Sequence, residues 1–237
     1  MIRRLIKWTF RLALLALVLI VIFLLSLNSI LRVVIEHNMS AQTGMDVEIG
    51  RFKMGWAKPT VEIQDLKIYN PSNFGGTPFL DIPEIHIEYD RTALLKKDFH
   101  LTLLRINLAE LDIVKSADGK LNIYEFGKTP AKASQKKSTA VAPDFKKQTG
   151  YDFKGIDALN VTFDKAKYID LQNRHNDREQ TIGIENWVVP KVQSPNDLAG
   201  LVVFIDLRSN HFFDPFVIKH QDSASLQSIL NLIGVMF

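Results

Sequence analysis

The N-terminal part of the chain contains an uncharged apolar run that constrains everything after it. Residues 12–31 hold no Asp, Glu, Lys or Arg and consist mostly of Leu, Ile, Val, Ala and Phe. About 20 helical residues, at about 1.5 Å each, match the roughly 30 Å hydrocarbon core of a bilayer. The run therefore predicts a transmembrane helix over residues 12–31, preceded by a short basic tail at residues 1–11.

The residues before the apolar run predict its orientation. Four basic side chains precede it without an acid, and an aromatic side chain lies where it can sit at headgroup level: Arg3, Arg4, Lys7, Arg11 and Trp8. The positive-inside bias then places the N-terminus in the cytoplasm and the main domain across the membrane. A cleaved signal peptide is the alternative, but the run is long for one and no small-residue cleavage pattern follows it.

Charge and cysteine content exclude several classes of function. Outside the first eleven residues, the basic and acidic residues nearly balance. A dedicated nucleic-acid surface needs a clustered positive field, so no nucleic-acid partner is expected. The chain has no cysteine. That excludes disulfides, thiolate metal sites and a cysteine nucleophile.

Beyond residue 31 the pattern is first helical and then typical of strands. Ile30, Val33 and Val34 have helical spacing, and Gly44 suits the end of a juxtamembrane helix over residues 32–44. Over residues 45–126 apolar and polar residues alternate, which predicts half-buried strands. A one-residue phase slip before Leu66 suggests a β-bulge.

The last part of the chain resumes the strand pattern after a basic segment. Residues 127–150 contain six lysines and read as a flexible linker, with an anionic-lipid patch as the less favoured interpretation. Residues 151–237 form a second β segment with two amphipathic helices. The Ser194-Pro195 pair predicts one helix over 195–208. The other, at 223–237, is too short to span a bilayer and would pack on the sheet, lie in a membrane interface or meet a partner.

The order of several short motifs carries a family resemblance. The segments TGMDVEIGRFKMGW, IYNPSNFGG and SADGKLNI follow the apolar run in this order and spacing within residues 1–126. Together they resemble the N-terminal region of AsmA-like proteins, the AsmA/TamB type of inner-membrane-anchored envelope proteins. The resemblance implies a curved β-sheet groove with an apolar interior, a location in the inner membrane of a Gram-negative envelope, and a link to phospholipid transport and outer-membrane biogenesis.

We therefore expect a mainly β (α+β) fold: a transmembrane helix followed by a curved antiparallel sheet of about ten strands, with two amphipathic helices near the C-terminus. Two helices are a small lid for so many strands, so part of the apolar face should meet acyl chains. The expected lining residues are Phe52, Met54, Trp56, Ile63, Ile85, Ile87, Leu103, Ile106 and Ile113. The alternative is a sheet that curls on itself and is completed by the helices as an ordinary core.

The sequence contains no familiar catalytic motif. It has no glycine-rich phosphate loop, no nucleophile elbow and no H-E-x-x-H. His211, Asp214, His220 and Asp222 form a grouping that fits no standard metal site, and a polar loop is the favoured interpretation. We expect no catalysis, cofactor or metal.

The expected function is to bind or help transport phospholipid, or to assist envelope biogenesis, with the membrane and phospholipid as partners. The alternative is a scaffold that assembles envelope proteins through its sheet edge or C-terminal helix.

Overall fold

The computed structural model describes residues 2–55, 57–124, 146 and 149–213, without the side chains of residues 2–7, 21, 24, 25 and 195. A long helix comes first, followed by six strands and two short helices. The helices are α1 (Ile2–Thr43), α2 (Arg91–Leu95) and α3 (Ala199–Arg208). The strands are β1 (Asp46–Met54), β2 (Thr60–Tyr69), β3 (Pro78–Tyr89), β4 (Asp98–Lys115), β5 (Asp152–Asp170) and β6 (Arg178–Val192). Short 3-10 turns lie at Ser72–Phe74, Asn122–Tyr124, Arg174–Asn176 and Pro195–Leu198.

The six strands form one sheet in chain order. The mainly β prediction is confirmed, but the antiparallel sheet of about ten strands is corrected, because β4 and β5 pair in parallel and the described residues contain six strands. β4 and β5 are continuous strands of 18 and 19 residues. The sequence pattern breaks each of them in two, which explains the higher predicted number.

The parallel pair requires a crossover between the two ends of the sheet. We call one end of the sheet the near end. There β1 ends at Met54, β6 ends, and α2 joins β3 to β4. The far end is the one where β1 begins and β4 ends at Lys115. The chain leaves β4 at the far end and starts β5 at the near end. The segment predicted as a linker, residues 127–150, lies in this connection, and most of it is outside the described residues.

The phase slip in the apolar pattern is shared by neighbouring strands. It falls at Asp65, whose φ is 54°, and at Gly50 beside it on β1. Pairing continues on both sides, from Ile49 with Leu66 to Phe52 with Ile63, so no extra residue is inserted. The predicted bulge is therefore corrected: the strands change phase together, and their apolar side chains stay in one core cluster.

Helix α1 runs without interruption from the N-terminal tail to the sheet. It ends at Thr43, and Gly44 follows with a φ of 71°, which confirms the predicted helical extension and the direct passage to β1. Among the described residues, no helix is both long and apolar enough to cross a membrane.

The helix predicted over residues 195–208 is present as a 3-10 turn that continues into α3. The carboxylate of Asp197 accepts a hydrogen bond from the backbone N–H of Ser194 at 2.7 Å, which fixes the start of this helix. The second predicted helix, at 223–237, lies outside the described residues.

Candidate functional site

On β2 and β3 the apolar face is more open at the near end than at the far end. From far to near, the exposed fractions are 1% at Ile68, 1% at Leu66 and 8% at Ile63 on β2, and 1% at Leu80, 1% at Ile82 and 5% at Ile85 on β3. The next apolar residue toward the near end is half-buried on both strands, Val61 on β2 and Ile87 on β3. On these two strands the packing loosens toward the near end. On β4 it does not, because Leu101 and Leu104 are 1% and 0% exposed near that end and Leu108 and Leu111 further along are half-buried.

We call the half-buried apolar side chains at the near end the mouth. They are Met54, Val61, Ile87, Tyr89, Phe99 and Val189, and each packs against the buried core cluster. The mouth therefore continues the core outward, and the apolar surface it leaves uncovered is available to an apolar ligand.

The predicted lining residues fall into four groups. Phe52, Ile63, Ile85 and Ile106 belong to the main core cluster, and Met54 and Ile87 pack on it from the mouth. Ile113 is buried in a second cluster nearer the far end. Trp56 lies outside the described residues.

Leu103 is the predicted lining residue that the structure places apart. It pairs with Glu88, whereas its neighbour Leu104 pairs with Ile87 and is fully buried. The β3–β4 register shifts between Glu88 and Tyr89, so the alternation of β4 changes phase at this point. Leu104 takes the inner position, and Leu103 faces the opposite side of the sheet.

Helices fill much of the space above the inner face. Leu31, Ile35 and Met39 of α1 pack on the core from the β1 side. Leu198 and Leu201 pack on it before and within α3 and are themselves buried. The described part of the interior is thus largely packed with the chain's own side chains.

A polar ladder fixes α1 along the open edge of β1. Its residues are Asn28, Arg32, Glu36 and Ser40, spaced four apart on one helix face. Asn28 accepts from the Met54 N–H at 3.3 Å, Glu36 from Ile49 N–H at 2.8 Å and Ser40 from Val47 N–H at 3.1 Å, while Arg32 donates to the carbonyls of Ile49 and Gly50. From Ser40 to Glu36 the helix rises about 6 Å, close to the roughly 6.7 Å between Val47 and Ile49 on β1.

The ladder satisfies backbone groups that an edge strand otherwise leaves unpaired. The helical spacing of Ile30, Val33 and Val34 predicts the helix but does not reveal this ladder. Those three side chains are exposed, and the contacting face is the polar one beside Leu31 and Ile35. The spacing of four among Asn28, Arg32, Glu36 and Ser40 is the signal that could have revealed it.

Comparison with known proteins decides the family. A family model described as the AsmA family matches residues 3–191. The chain belongs to the AsmA family. The match confirms the resemblance and extends it past residue 126, through β5 and nearly all of β6. No curated protein and no solved structure matches the chain.

Two motifs of the AsmA resemblance meet at the far end. Asn70, from the Asn-Pro turn, and Asn122, from the segment SADGKLNI, are both buried. The side-chain amide of Asn122 donates to Asn70 Oδ1 at 2.8 Å and to the carbonyl of Asp112 at 2.8 Å. These hydrogen bonds tie the β2–β3 turn to the end of β4 and close the sheet there.

The outer face of this AsmA-family sheet carries a charged cluster on β4 and β5. Glu110 contacts the ammonium groups of Lys165 at 2.8 Å and Lys167 at 2.7 Å. The neighbouring Asp112 is buried, and its Oδ1 has no hydrogen-bond partner. Burial, with a further contribution from the Glu110 charge, raises the pKa of Asp112 to about 7.

A cavity of about 330 Å³ at the far end has a polar lining and does not resemble an acyl site. Its lining is Arg178, Glu179, Gln180, Ser209, Asn210, His211 and Phe212. His211 pairs with Asp206 at 3.0 Å. The other members of its predicted grouping, Asp214, His220 and Asp222, lie outside the described residues, and within those residues no cluster suited to a metal ion is found.

Proposed function

We propose that this AsmA-family chain is an inner-membrane-anchored envelope protein that holds a phospholipid acyl chain at the mouth of its sheet, without catalysing a reaction. The observation that carries the proposal is the rise in exposure along β2 and β3, from 1% at the far end to half-buried side chains at the mouth. An acyl chain is an envelope ligand that can cover the apolar side chains of the mouth without placing a charge among them.

The membrane anchor is part of the proposal. Residues 12–31 carry no charge, and the large apolar side chains that the structure describes from Leu12 to Phe23 are 47–59% exposed. The described part of the chain therefore leaves them uncovered, and lipid tails would supply the missing contacts. With Arg11 and the exposed Trp8 before the run, the N-terminus lies in the cytoplasm and the sheet in the periplasm.

The size of the sheet supports a local role. The strands run along α1 and away from the membrane, and the longest, of 18 and 19 residues, extend roughly 60 Å at about 3.3 Å per residue, which is short for a bridge across a periplasm. Since α1 and α3 already fill much of the inner face, we infer that the chain holds or hands over one lipid near the inner membrane.

The test is site-specific photo-crosslinking in membranes. A photoreactive amino acid replaces Ile87 at the mouth or, as the matched control, Leu103. The control residue pairs with Glu88, the residue after Ile87, so it lies at the same level of the sheet but on the other face. We expect phospholipid adducts at position 87 and few at position 103, detected by mass spectrometry of the purified chain.

Two results would contradict the proposal. Equal labelling at positions 87 and 103 would mean that the probe only reports contact with the bilayer at that level. Absence of adducts at both positions, with the chain folded by circular dichroism, would mean that the mouth holds no lipid.

A protein partner is the second candidate, and exposed apolar side chains on α3 favour it. Val203 and Leu207 are 58% and 63% exposed, on a helix whose Phe204 ring stacks on Trp187 of β6. The edge of β6 suits strand addition less well, because Gly183, Asn186 and Lys191 have positive φ and distort it. Protein adducts from a photoreactive residue at Val203, without lipid adducts at Ile87, would favour this function.

A further inference from the structure

We propose that the near end of the sheet rests on the bilayer surface, with Leu95 of α2 inserted at the interface and Lys58, Lys96 and Lys97 against anionic headgroups. This inference rests on the proposed membrane anchor and adds a second, lateral contact between the folded domain and the membrane. The partner is a bilayer surface that carries anionic lipid.

The polar ladder determines how far the sheet lies from the membrane. Contact between α1 and the sheet already begins at Asn28, which accepts from the N–H of Met54 at the near end. Asn28 lies inside the uncharged run of residues 12–31. Because α1 is one continuous helix, no spacer separates the apolar run from the sheet. The near end must therefore lie at the level where the anchor leaves the hydrocarbon core.

Helix α2 places an apolar side chain at this same end. Asp90 fixes the helix start, because its Oδ1 accepts from the N–H groups of Thr92 at 2.7 Å and Ala93 at 3.1 Å. Leu95, in the last position of α2, is 83% exposed, more than any other large hydrophobic side chain in the described residues. Phe153 at the start of β5 is 38% exposed and adds apolar surface nearby.

The backbone around Leu95 is held to the sheet. The carbonyl of Lys97 accepts from the N–H of Asp152 at 2.8 Å, which joins the end of the α2 turn to the first residue of β5. A single exposed leucine is ordinary on a soluble surface. Leu95 differs because it lies at the end of the sheet where the anchor meets the folded domain. Its turn is fixed at the start by the Asp90 cap and at the end by the hydrogen bond from Asp152 to Lys97.

The charges at the near end favour an anionic surface. Three acids there have partners: Asp90 caps α2, Asp98 pairs with Lys154 at 3.4 Å, and Asp152 pairs with Lys146 at 2.9 Å. Glu88 and Asp157 lie beside His86 and His100 at 3.2 Å and 3.0 Å. Lys58, Lys96 and Lys97 take part in none of these ion pairs, and all three are exposed in the described part of the chain. Exposed ammonium groups are thus available around Leu95, and each lysine close to an anionic leaflet contributes about fivefold to binding.

The test uses single-cysteine labelling, which the absence of native cysteine makes specific. The full chain carries an environment-sensitive fluorophore at Leu95→Cys, at Ser72→Cys in the exposed far-end turn, or at Leu19→Cys in the anchor. Each labelled chain is reconstituted in phosphatidylcholine vesicles with or without phosphatidylglycerol, and quenching by a lipid-borne quencher is measured. Circular dichroism checks that each variant is folded.

We expect strong quenching at position 19, clear quenching at position 95 that increases with phosphatidylglycerol, and little at position 72. In the anionic vesicles, Lys96→Gln with Lys97→Gln should lower the ratio of docked to undocked chains at position 95 by more than tenfold. In neutral vesicles the same pair should have little effect.

Other outcomes separate this inference from the proposed anchor. Quenching at position 19 without quenching at position 95 overturns the docking of α2 and leaves the anchor intact. Equal quenching at positions 95 and 72 also overturns it, because the contact would not be specific to the near end. No quenching at position 19 removes the anchor and this inference together. If the lysine variants do not change the anionic-lipid response, the headgroup contact is wrong.

Discussion

Asp112 illustrates how its surroundings set the ionisation of a single carboxyl group. It lies on β4 beside Glu110, whose carboxylate forms ion pairs with the ammonium groups of Lys165 and Lys167. Asp112 is left buried with an oxygen that has no hydrogen-bond partner, and its pKa rises to about 7. The contrast is Asp170, where hydrogen bonds from Asn176 and the Gln172 N–H hold the pKa at about 2.

A raised carboxyl pKa makes the folded state less stable as the pH rises. Between about pH 4 and pH 7 the folded chain keeps a proton on Asp112 that the unfolded chain has released, so the free energy of unfolding falls across this window, by at most about 1.4 kcal/mol per pH unit. Asp112→Asn should remove that fall and leave the variant more stable than the wild type at pH 8, but not at pH 4. Urea unfolding of the full chain in detergent at both pH values measures this difference in the free energy of unfolding.

The matched control is Asp170→Asn, for which the sign is opposite. The pKa of Asp170 is lowered, so its contribution to stability is present above about pH 4 and is lost as the pH falls toward 2. This variant should be less stable than the wild type at pH 8. If Asp112→Asn is also destabilising at pH 8, the Asp112 carboxylate makes a favourable interaction there and the raised pKa is wrong.

At the scale of elements, the junction of α1 and β1 depends on hydrogen bonds. Replacing Glu36 with alanine leaves the Ile49 N–H without its acceptor. We expect a loss of about 1–3 kcal/mol in the free energy of unfolding, and faster hydrogen exchange at Ile49. The control is His37→Ala, an exposed neighbour outside the ladder, which should change neither quantity. Equal effects of the two variants would show that general helix stability, not the ladder, is being measured.

The elements also show which features the sequence can predict. The first strands, the α1 extension and the helix at 195–208 follow from periodicity and capping residues near one another in the chain. The phase of β4 does not, because Leu101, Leu103 and Leu104 allow either alternation and the register shift opposite Tyr89 selects one. The parallel pairing of β4 with β5 depends on contacts between residues more than 50 positions apart. Local patterns carry no information about such a partner.

The candidate site was predicted in part for a related reason. Alternation identifies the inner face, and Phe52, Ile63, Ile85 and Ile106, which were predicted to line a lipid groove, lie buried in one apolar cluster. Alternation says nothing about which part of that face helices cover. The placement of the mouth beside the apolar run is a consequence of how α1 packs on β1 through the ladder.

For the whole molecule, the two ends of the sheet should differ in stability as well as in exposure. At the far end, Asn70 and Asn122 are buried and hydrogen-bonded to each other, and the apolar side chains of β2 and β3 are 1% exposed. At the near end the corresponding positions open into the mouth. Amides exchange through local opening, which costs less where fewer apolar contacts are broken.

Hydrogen exchange along β2 and β3 therefore tests this asymmetry. We expect slower exchange from Leu66 to Ile68 and from Leu80 to Ile82 than from Val61 to Ile63 and from Ile85 to Ile87. Transfer of the full chain from lipid-free detergent to phospholipid nanodiscs should protect the near-end segments selectively, because an acyl chain at the mouth adds the apolar contacts that the protein lacks there. Uniform protection along both strands, unchanged by phospholipid, would contradict both the asymmetry and the binding of lipid at the mouth.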